Sequence, residues 1–378
     1  MSGPGEGEVD AIARRFQLDG EIVAVARLAG GHINDSFRVY VRGPAGARSY
    51  LLQRLNPQVF PRPDRVVENV AWVTRHITGR LRAARVPDWP RRVLVLVPTR
   101  DGGEWLSDAG GVWRAFVFLD GTMVRQSAAS AADCHTAGRA FGEFLRLVAD
   151  YDGPPLHETI PGFHDTHGRF ARLEAVARAD PCGRVAGARG EVEAALGGRS
   201  LAERLPPLLA SGEIPLRVVH NDAKISNVLL DGRTGEALCV VDLDTVMPGT
   251  ALYDFGDMVR SMASPTAEDE EELSRVAVHL PMFEALARGY LETAGAVLTS
   301  RERELLVFAG RLITLEQAVR FLTDHLEGDR YYRVARPGHN LIRCRTQLAL
   351  FHSLTQAAAD LETIVSRVAA IAERFSRG

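Results

Sequence analysis

The chain has 378 residues, 46% of them hydrophobic, and a formal net charge of −3, which allows two folded lobes, each with its own core. The near-neutral balance gives no electrostatic reason to expect nucleic acid or an anionic membrane as partner, and no apolar run is long enough to span a bilayer. The four cysteines, Cys134, Cys182, Cys239 and Cys344, show no metal-ligand spacing. Since the Gly-rich, acidic start from Met1 to Asp10 is no signal peptide, the reading is a soluble cytoplasmic protein with free thiols. Lys+Arg total 45, yet Lys224 is the single lysine, so that position asks for a local reason.

In chain order, Glu21–Leu28, Phe37–Val41 and Tyr50–Leu55 have the branched, alternating character of strands, separated by Gly30-Gly31 and by the turn Gly43-Pro44-Ala45-Gly46. Asp64 to Gly79 reads as a helix with Val67, Val70, Ala71, Trp72 and Ile77 on its apolar face. Val93–Val97 and Val112–Leu119 read as two further strands. From Asp120-Gly121 onward helices dominate: Ala131–Ala149, Arg169–Ala179, Gly190–Leu205, and long helices to the end. One β-rich insert, Arg217 to Val241, interrupts them. The fold class is α+β, with a β-rich N-terminal lobe at 1–119 and a mainly helical C-terminal lobe at 120–378. The acidic run Glu268–Glu272 reads as the first turn of a helix, Thr266 with Asp269 matching a capping box.

The insert carries the chemistry. A strand ending at Val219 delivers His220-Asn221-Asp222; Asn227 follows five residues after Asp222; a later strand ends on Asp242 and Asp244. Hairpin geometry can bring these acids and the amide to one mouth. Phosphoryl transfer needs that set. Its transition state spreads negative charge over the γ-phosphoryl oxygens, which cations must offset. Mg²⁺ takes hard oxygen ligands of the kind that Asn227, Asp242 and Asp244 supply. A separate carboxylate, Asp222, orients the attacking hydroxyl and accepts its proton. Lys224 is placed to meet the γ-phosphate as a compact point charge.

The string His220-Asn221-Asp222-x-Lys224-x-x-Asn227, followed by Val241-Asp242-Leu243-Asp244, resembles the catalytic motif and metal-binding Asp of the aminoglycoside phosphotransferase and choline kinase superfamily, which implies a two-lobed protein-kinase-like fold using ATP and Mg²⁺. Gly30-Gly31-His32-Ile33-Asn34-Asp35, Phe163-His164-Asp165, Asp242–Asp257 and Arg320–Asp324 together resemble its N-acetylhexosamine 1-kinase branch. That resemblance implies a sugar acceptor, phosphorylated at the anomeric hydroxyl of GlcNAc or GalNAc, with Asp222, Arg320 and Tyr331 facing it.

Asp254-Phe255-Gly256 spells the metal-binding tripeptide of protein kinases, but it follows a turn and opens a helix. Asp254, with His220, is read instead as a brace of the catalytic loop. Gly30 and Gly31, at the first hairpin, can cover phosphates through backbone N–H groups. The strand lysine that kinases pair with a helix glutamate is missing: Tyr50–Asn56 reads YLLQRLN, with Gln53 where the cation would most naturally stand and Arg54 beside it. Arg54 paired to Glu68 is the expectation, although period-2 alternation puts Gln53 and Arg54 on opposite faces. Two rival functions remain: a kinase for another small acceptor (an aminoglycoside, choline or homoserine), and a non-catalytic nucleotide-binding regulatory module, which the missing lysine favours.

Overall fold

Alternating side chains and tight turns pair the early strands into one antiparallel sheet. In this computed structural model, which describes residues 4–28, 33–44, 46–108 and 110–376, the strands are β1 (Glu21–Arg27), β2 (Asp35–Gly43), β3 (Gly46–Arg54), β4 (Leu96–Val97), β5 (Leu106–Asp108) and β6 (Gly111–Val117). Their order is β1-β2-β3-β6-β4, with β5 also on β6. Register decides which side chains share a face. Ser36, Gln53 and Arg114 stand opposite one another across β2, β3 and β6, whereas Asp35, Arg54 and Trp113 form the neighbouring row on the other face. The apolar face carries Phe37, Val39, Leu52, Trp113 and Ala115 and packs with Val9, Ile12 and Phe16, the first two from helix α1 (Glu6–Ala13). Gly30 and Gly31 lie outside the described residues.

The chain divides into two units, each discontinuous in sequence: Met1–Met123 with Asp150–Pro161 and Leu229–Pro248, and Val124–Ala149 with Gly162–Val228 and Gly249–Gly378. The cut read from sequence at 119/120 leaves residues 150–161 and 229–248 with the later part. A buried side chain explains why they join the first. On α2 (Pro63–Ala83), Asn69 is fully buried, and its amide nitrogen donates to the carbonyls of His157 at 2.8 Å and Val246 at 2.9 Å. Its oxygen accepts from the His157 N–H at 2.9 Å. A buried amide must satisfy its hydrogen bonds inside the protein, and Asn69 does so by stitching both later segments to α2. The same unit holds a three-stranded sheet with β10 (Ala237–Val240), β9 (Val228–Asp231) and β7 (Thr122–Met123) in that order. The strand β8 (Arg217–Val219) stands outside that sheet, so the insert is not one continuous β-meander.

The second unit is helical: α3 (Ala131–Val148), α4 (Thr166–Ala179), α5 (Arg189–Gly197), α6 (Leu205–Ala210), α7 (Ala251–Met262), α8 (Leu280–Ala294), α9 (Ser300–Glu304), α10 (Leu306–Leu326), α11 (His339–Gln356) and α12 (Ala358–Ser376). Helix α10 runs through its core, burying Leu315, Val319 and Leu322 with Phe170 and Leu173 of α4 and Cys344 of α11. The single helix read over Gly190–Leu205 is broken after Gly197. Gly197-Gly198 carries the highest helix-ending propensity of the stretch, and a Cβ on Gly198 would fall 2.5 Å from the Leu315 side chain. The acidic run is also corrected. Residues 266–272 form turns rather than a helix start; Glu268 pairs with Arg260, Asp269 with Arg336 and His339, and Glu270 with Arg275. Among the described residues, no helix is long and apolar enough to cross a membrane. The architecture is the protein-kinase-like one, an antiparallel sheet unit and a helical unit.

Candidate active site

The residues His220 to Asn227 belong to the second unit, where β8 ends at Val219 and the backbone turns sharply. Asn221 adopts φ 65°, a left-handed conformation costly for a residue with a side chain. Asp254, on α7 and almost fully buried, holds it there. One carboxylate oxygen accepts the N–H of His220 at 2.9 Å and the other that of Asn221 at 2.6 Å. The buried His220 ring meets Phe141 and Phe144 edge to face at centroid distances of 5.3 and 5.9 Å, and its Nδ1 accepts the Asp222 N–H at 3.2 Å. Asp222 is thereby fixed at its own backbone.

The Asp222 side chain, 24% exposed, receives Lys224 Nζ at 2.9 Å and Asn227 Nδ2 at 2.9 Å on its Oδ2. Asn227 Nδ2 also donates to the Asp222 carbonyl at 2.8 Å. Burial pushes the Asp222 carboxyl up, but Lys224, with His220 and Arg260 further off, more than offsets this and holds it below the ordinary carboxylate value. It is an ionised acceptor, as a hydroxyl-orienting base must be. The amide nitrogen of Asn227 is committed to Asp222, which leaves its carbonyl oxygen as the atom able to ligate a cation.

Sequence reasoning gave no role to the residues behind this loop. Asp257, one turn after Asp254, accepts Arg260 Nε at 2.5 Å, and Arg260 reaches Glu268 at 2.9 Å. Burial raises the Asp257 carboxyl against the pull of Arg260, and the nearby Asp222 charge raises it further. His164 bridges two elements: Nδ1 meets Glu316 on α10 at 2.9 Å and Nε2 meets the Asn221 carbonyl at 3.3 Å. Its ring stacks on Tyr253 at 4.5 Å. One turn beyond Glu316, the Arg320 guanidinium lies over Phe163 at 5.0 Å and Tyr332 at 5.7 Å. Tyr331 is 58% exposed, its ring 4.8 Å from that of Tyr332, and it is Tyr332 whose ring lies under Arg320. Asp324 fixes that turn, accepting the N–H groups of Arg330, Tyr331 and Tyr332 at 2.8, 2.8 and 2.9 Å.

Asp242 and Asp244 belong to the first unit. Asp242 is exposed and left-handed, φ 59°, just before the 3-10 turn Leu243–Thr245. Asp244 is 2% exposed and fully engaged: Oδ1 pairs with Arg114 at 2.5 Å, Oδ2 accepts Asn34 Nδ2 at 2.6 Å, and its carbonyl accepts the Thr159 hydroxyl at 3.0 Å. Asp242 thus presents an exposed carboxylate, while that of Asp244 is buried against Arg114 and Asn34.

The Arg54–Glu68 pair is overturned. Arg54 sits in the row with Trp113 and pairs with Asp35 at 2.6 Å, while Glu68 pairs with His157 at 2.8 Å. Strand alternation sends Arg54 to the face opposite Gln53, and it is Gln53 that shares a face with Arg114 and, through it, Asp244.

Among the described residues, no three His, Cys, Asp or Glu side chains gather as a metal cage. Magnesium commonly takes one or two protein ligands and completes its shell with phosphate and water, and an exposed Asp242 and the Asn227 carbonyl are donors of that type. A magnesium ion held by donors of this kind would offset charge on transferring phosphate oxygens.

The chain belongs to the phosphotransferase enzyme family (APH), which it matches over residues 24–295. Solved structures with the same fold include an amicoumacin kinase in complex with AMP-PNP and Ca²⁺, 14% identical with a TM-score of 0.60 over 92% of this chain and 93% of that one. A microcompartment-associated aminopropanol kinase is 16% identical, TM-score 0.54, over 98% and 97%. A choline/ethanolamine kinase family protein from Mesorhizobium loti is 17% identical, TM-score 0.52, over 96% and 99%.

Proposed function

We propose that this phosphotransferase is an ATP- and magnesium-dependent sugar kinase that phosphorylates the anomeric hydroxyl of an N-acetylhexosamine, GlcNAc or GalNAc, to give the sugar 1-phosphate. In this reading the hydroxyl oxygen attacks the γ-phosphorus, the bond to the bridging β–γ oxygen breaks, ADP leaves, and Asp222 takes the hydroxyl proton. Lys224 keeps Asp222 ionised and offers a compact charge to the phosphoryl group. Catalytic roles for Asp222, Lys224, Asn227 and Asp242 rest on the chemistry of their side chains and on the motif resemblance.

The observation that carries the acceptor assignment is the setting of Arg320. A planar cation between Phe163 and Tyr332 is suited to a neutral polar ring, which takes hydrogen bonds from the guanidinium and packing from the aromatic faces. Phe163 adjoins His164, which reaches the backbone of Asn221, so this cluster abuts the loop of Asp222 within one unit. A polycationic acceptor is less well suited. The acids near Asp222 are already matched, Glu316 by His164, Asp257 by Arg260, and Asp254 by two backbone N–H groups.

The test is ADP release with Mg·ATP over a panel of GlcNAc, GalNAc, aminoglycosides, choline, aminopropanol and homoserine, with the product identified by NMR. Phosphate on the anomeric carbon of GlcNAc or GalNAc is the expected result. Turnover only with an amine-bearing acceptor would replace the sugar and keep the kinase; ATP binding without turnover on any of them would favour the regulatory module.

A further inference from the structure

We propose that Arg114 on β6 supplies the phosphate-holding cation of the nucleotide site, with Gln53 on β3 as the bracket that aims it. This rests on the ATP-binding reading above and adds to it a residue outside every motif quoted from the sequence.

The starting point is the strand that lacks a lysine. Gln53 occupies the position expected for the cation, and its register partner is Arg114, so the two side chains stand side by side on one face. Gln53 Oε1 accepts from Arg114 Nε at 3.1 Å and Nη2 at 2.9 Å, and Gln53 Nε2 is itself fixed by donating to Ser36 Oγ at 3.0 Å. Nη2 also reaches Asp244 at 2.5 Å, two residues after Asp242. The guanidinium plane is steadied further by the Phe116 ring, 5.1 Å away. Three anchors therefore determine where the remaining nitrogen lies.

That nitrogen, Nη1, is buried and has no hydrogen-bond partner among the described residues, on a side chain only 3% exposed. Native proteins pair nearly all such donors, and a guanidinium keeps its charge at any physiological pH. A fixed, permanently charged, unpaired donor beside the turn of Asp242 is matched to an anionic oxygen that joins the protein from outside. Its flat N–H pattern suits phosphate. The chemical class that this site would take is the polyphosphate of a nucleoside di- or triphosphate.

The experiment is calorimetric titration of ATP, ADP and adenosine, without acceptor, into the wild-type protein, Arg114→Gln, and Arg114→Gln combined with Gln53→Lys. The expected result is a loss of ATP and ADP affinity of about 10- to 100-fold in R114Q, the scale of a hydrogen bond to a charged group, with adenosine affinity unchanged. Moving the charge back to β3 in the double variant restores most of the ATP affinity. Should R114Q fail to fold because Asp244 is left buried and unpaired, Arg114→Gln with Asp244→Asn removes both charges and gives the same comparison. The proposal is overturned if the charge-free variant binds ATP like wild type, if ATP and adenosine weaken together, or if Lys at position 53 restores nothing. Wild-type protein that binds neither ATP nor adenosine would instead defeat the kinase reading on which the proposal stands.

Discussion

Asp254 and Asn221 are joined by a 2.6 Å hydrogen bond from a backbone N–H to a buried carboxylate, and that bond holds a left-handed residue directly before Asp222. With the second bond, from His220, it gives a structural employment to the Asp-Phe-Gly string. Charge-assisted bonds of this kind are worth about 1.5–3 kcal/mol each. Asp254→Ala is therefore expected to cost several kcal/mol in denaturant titration and to abolish turnover, whereas Asp254→Asn, keeping one acceptor, falls between it and wild type. Equal stability of all three would show that the loop holds its shape without Asp254.

The two acids of the Asp242–Asp244 turn are expected to separate by phenotype. Asp242 is exposed, so Asp242→Asn, a residue that tolerates the left-handed backbone found there, should leave stability within about 0.5 kcal/mol and remove most of the magnesium-dependent part of ATP binding. Asp244→Ala leaves Arg114 charged and buried, a defect on the order of 3–5 kcal/mol, visible as a lower Tm with or without magnesium. The reverse pattern would move the metal site to Asp244.

Acid sensitivity follows from two depressed carboxyls. Burial raises Asp222 and Glu316, but Lys224 in the first case and His164 in the second outweigh it, so each binds its proton more weakly in the folded state than at the ordinary 3.8 or 4.5. The stability each contributes is complete above those ordinary values and disappears as pH falls through the depressed ones. Asp254 and Asp257, raised chiefly by burial, run the other way and favour folding on the acid side. Subtraction isolates the first pair: the stability gap between wild type and Glu316→Gln should be constant near neutrality and close below about pH 4.5. Asp222→Asn should lower turnover about 10²- to 10⁴-fold with ATP binding retained. A gap that widens in acid would contradict the assigned direction.

The turn that gathers Asp222, Lys224 and Asn227 was legible because its information is local: His220 to Asn227 span eight positions, and an apolar strand before them fixes where they begin. The sheet and most helices were legible for the same reason, since period and turn residues are short-range signals. Strand facing was not. Alternation alone says that Gln53 and Arg54 differ in face, and only pairing with β6 says which face meets Asp244. His164 with Glu316 and Arg114 with Asp244 join segments far apart in the chain, which no spacing rule reaches. Tyr331 and Tyr332 are adjacent and alike, so which of the two rings lies under Arg320 depends on a turn built by Asp324. In the acidic run, a capping pattern was present but its acids were taken by arginines from elsewhere in the fold.

The lone lysine has a practical meaning. Lys224 is 37% exposed and 2.9 Å from Asp222, and it is the sole side-chain amine in the sequence. Any reagent selective for lysine side chains thus finds a single address, and its mass increment counts how many molecules carry a modified Lys224 beside Asp222. In most proteins such labelling is diluted over a crowded surface; here arginine has cleared that background, and acylation stoichiometry becomes a direct titration of the site.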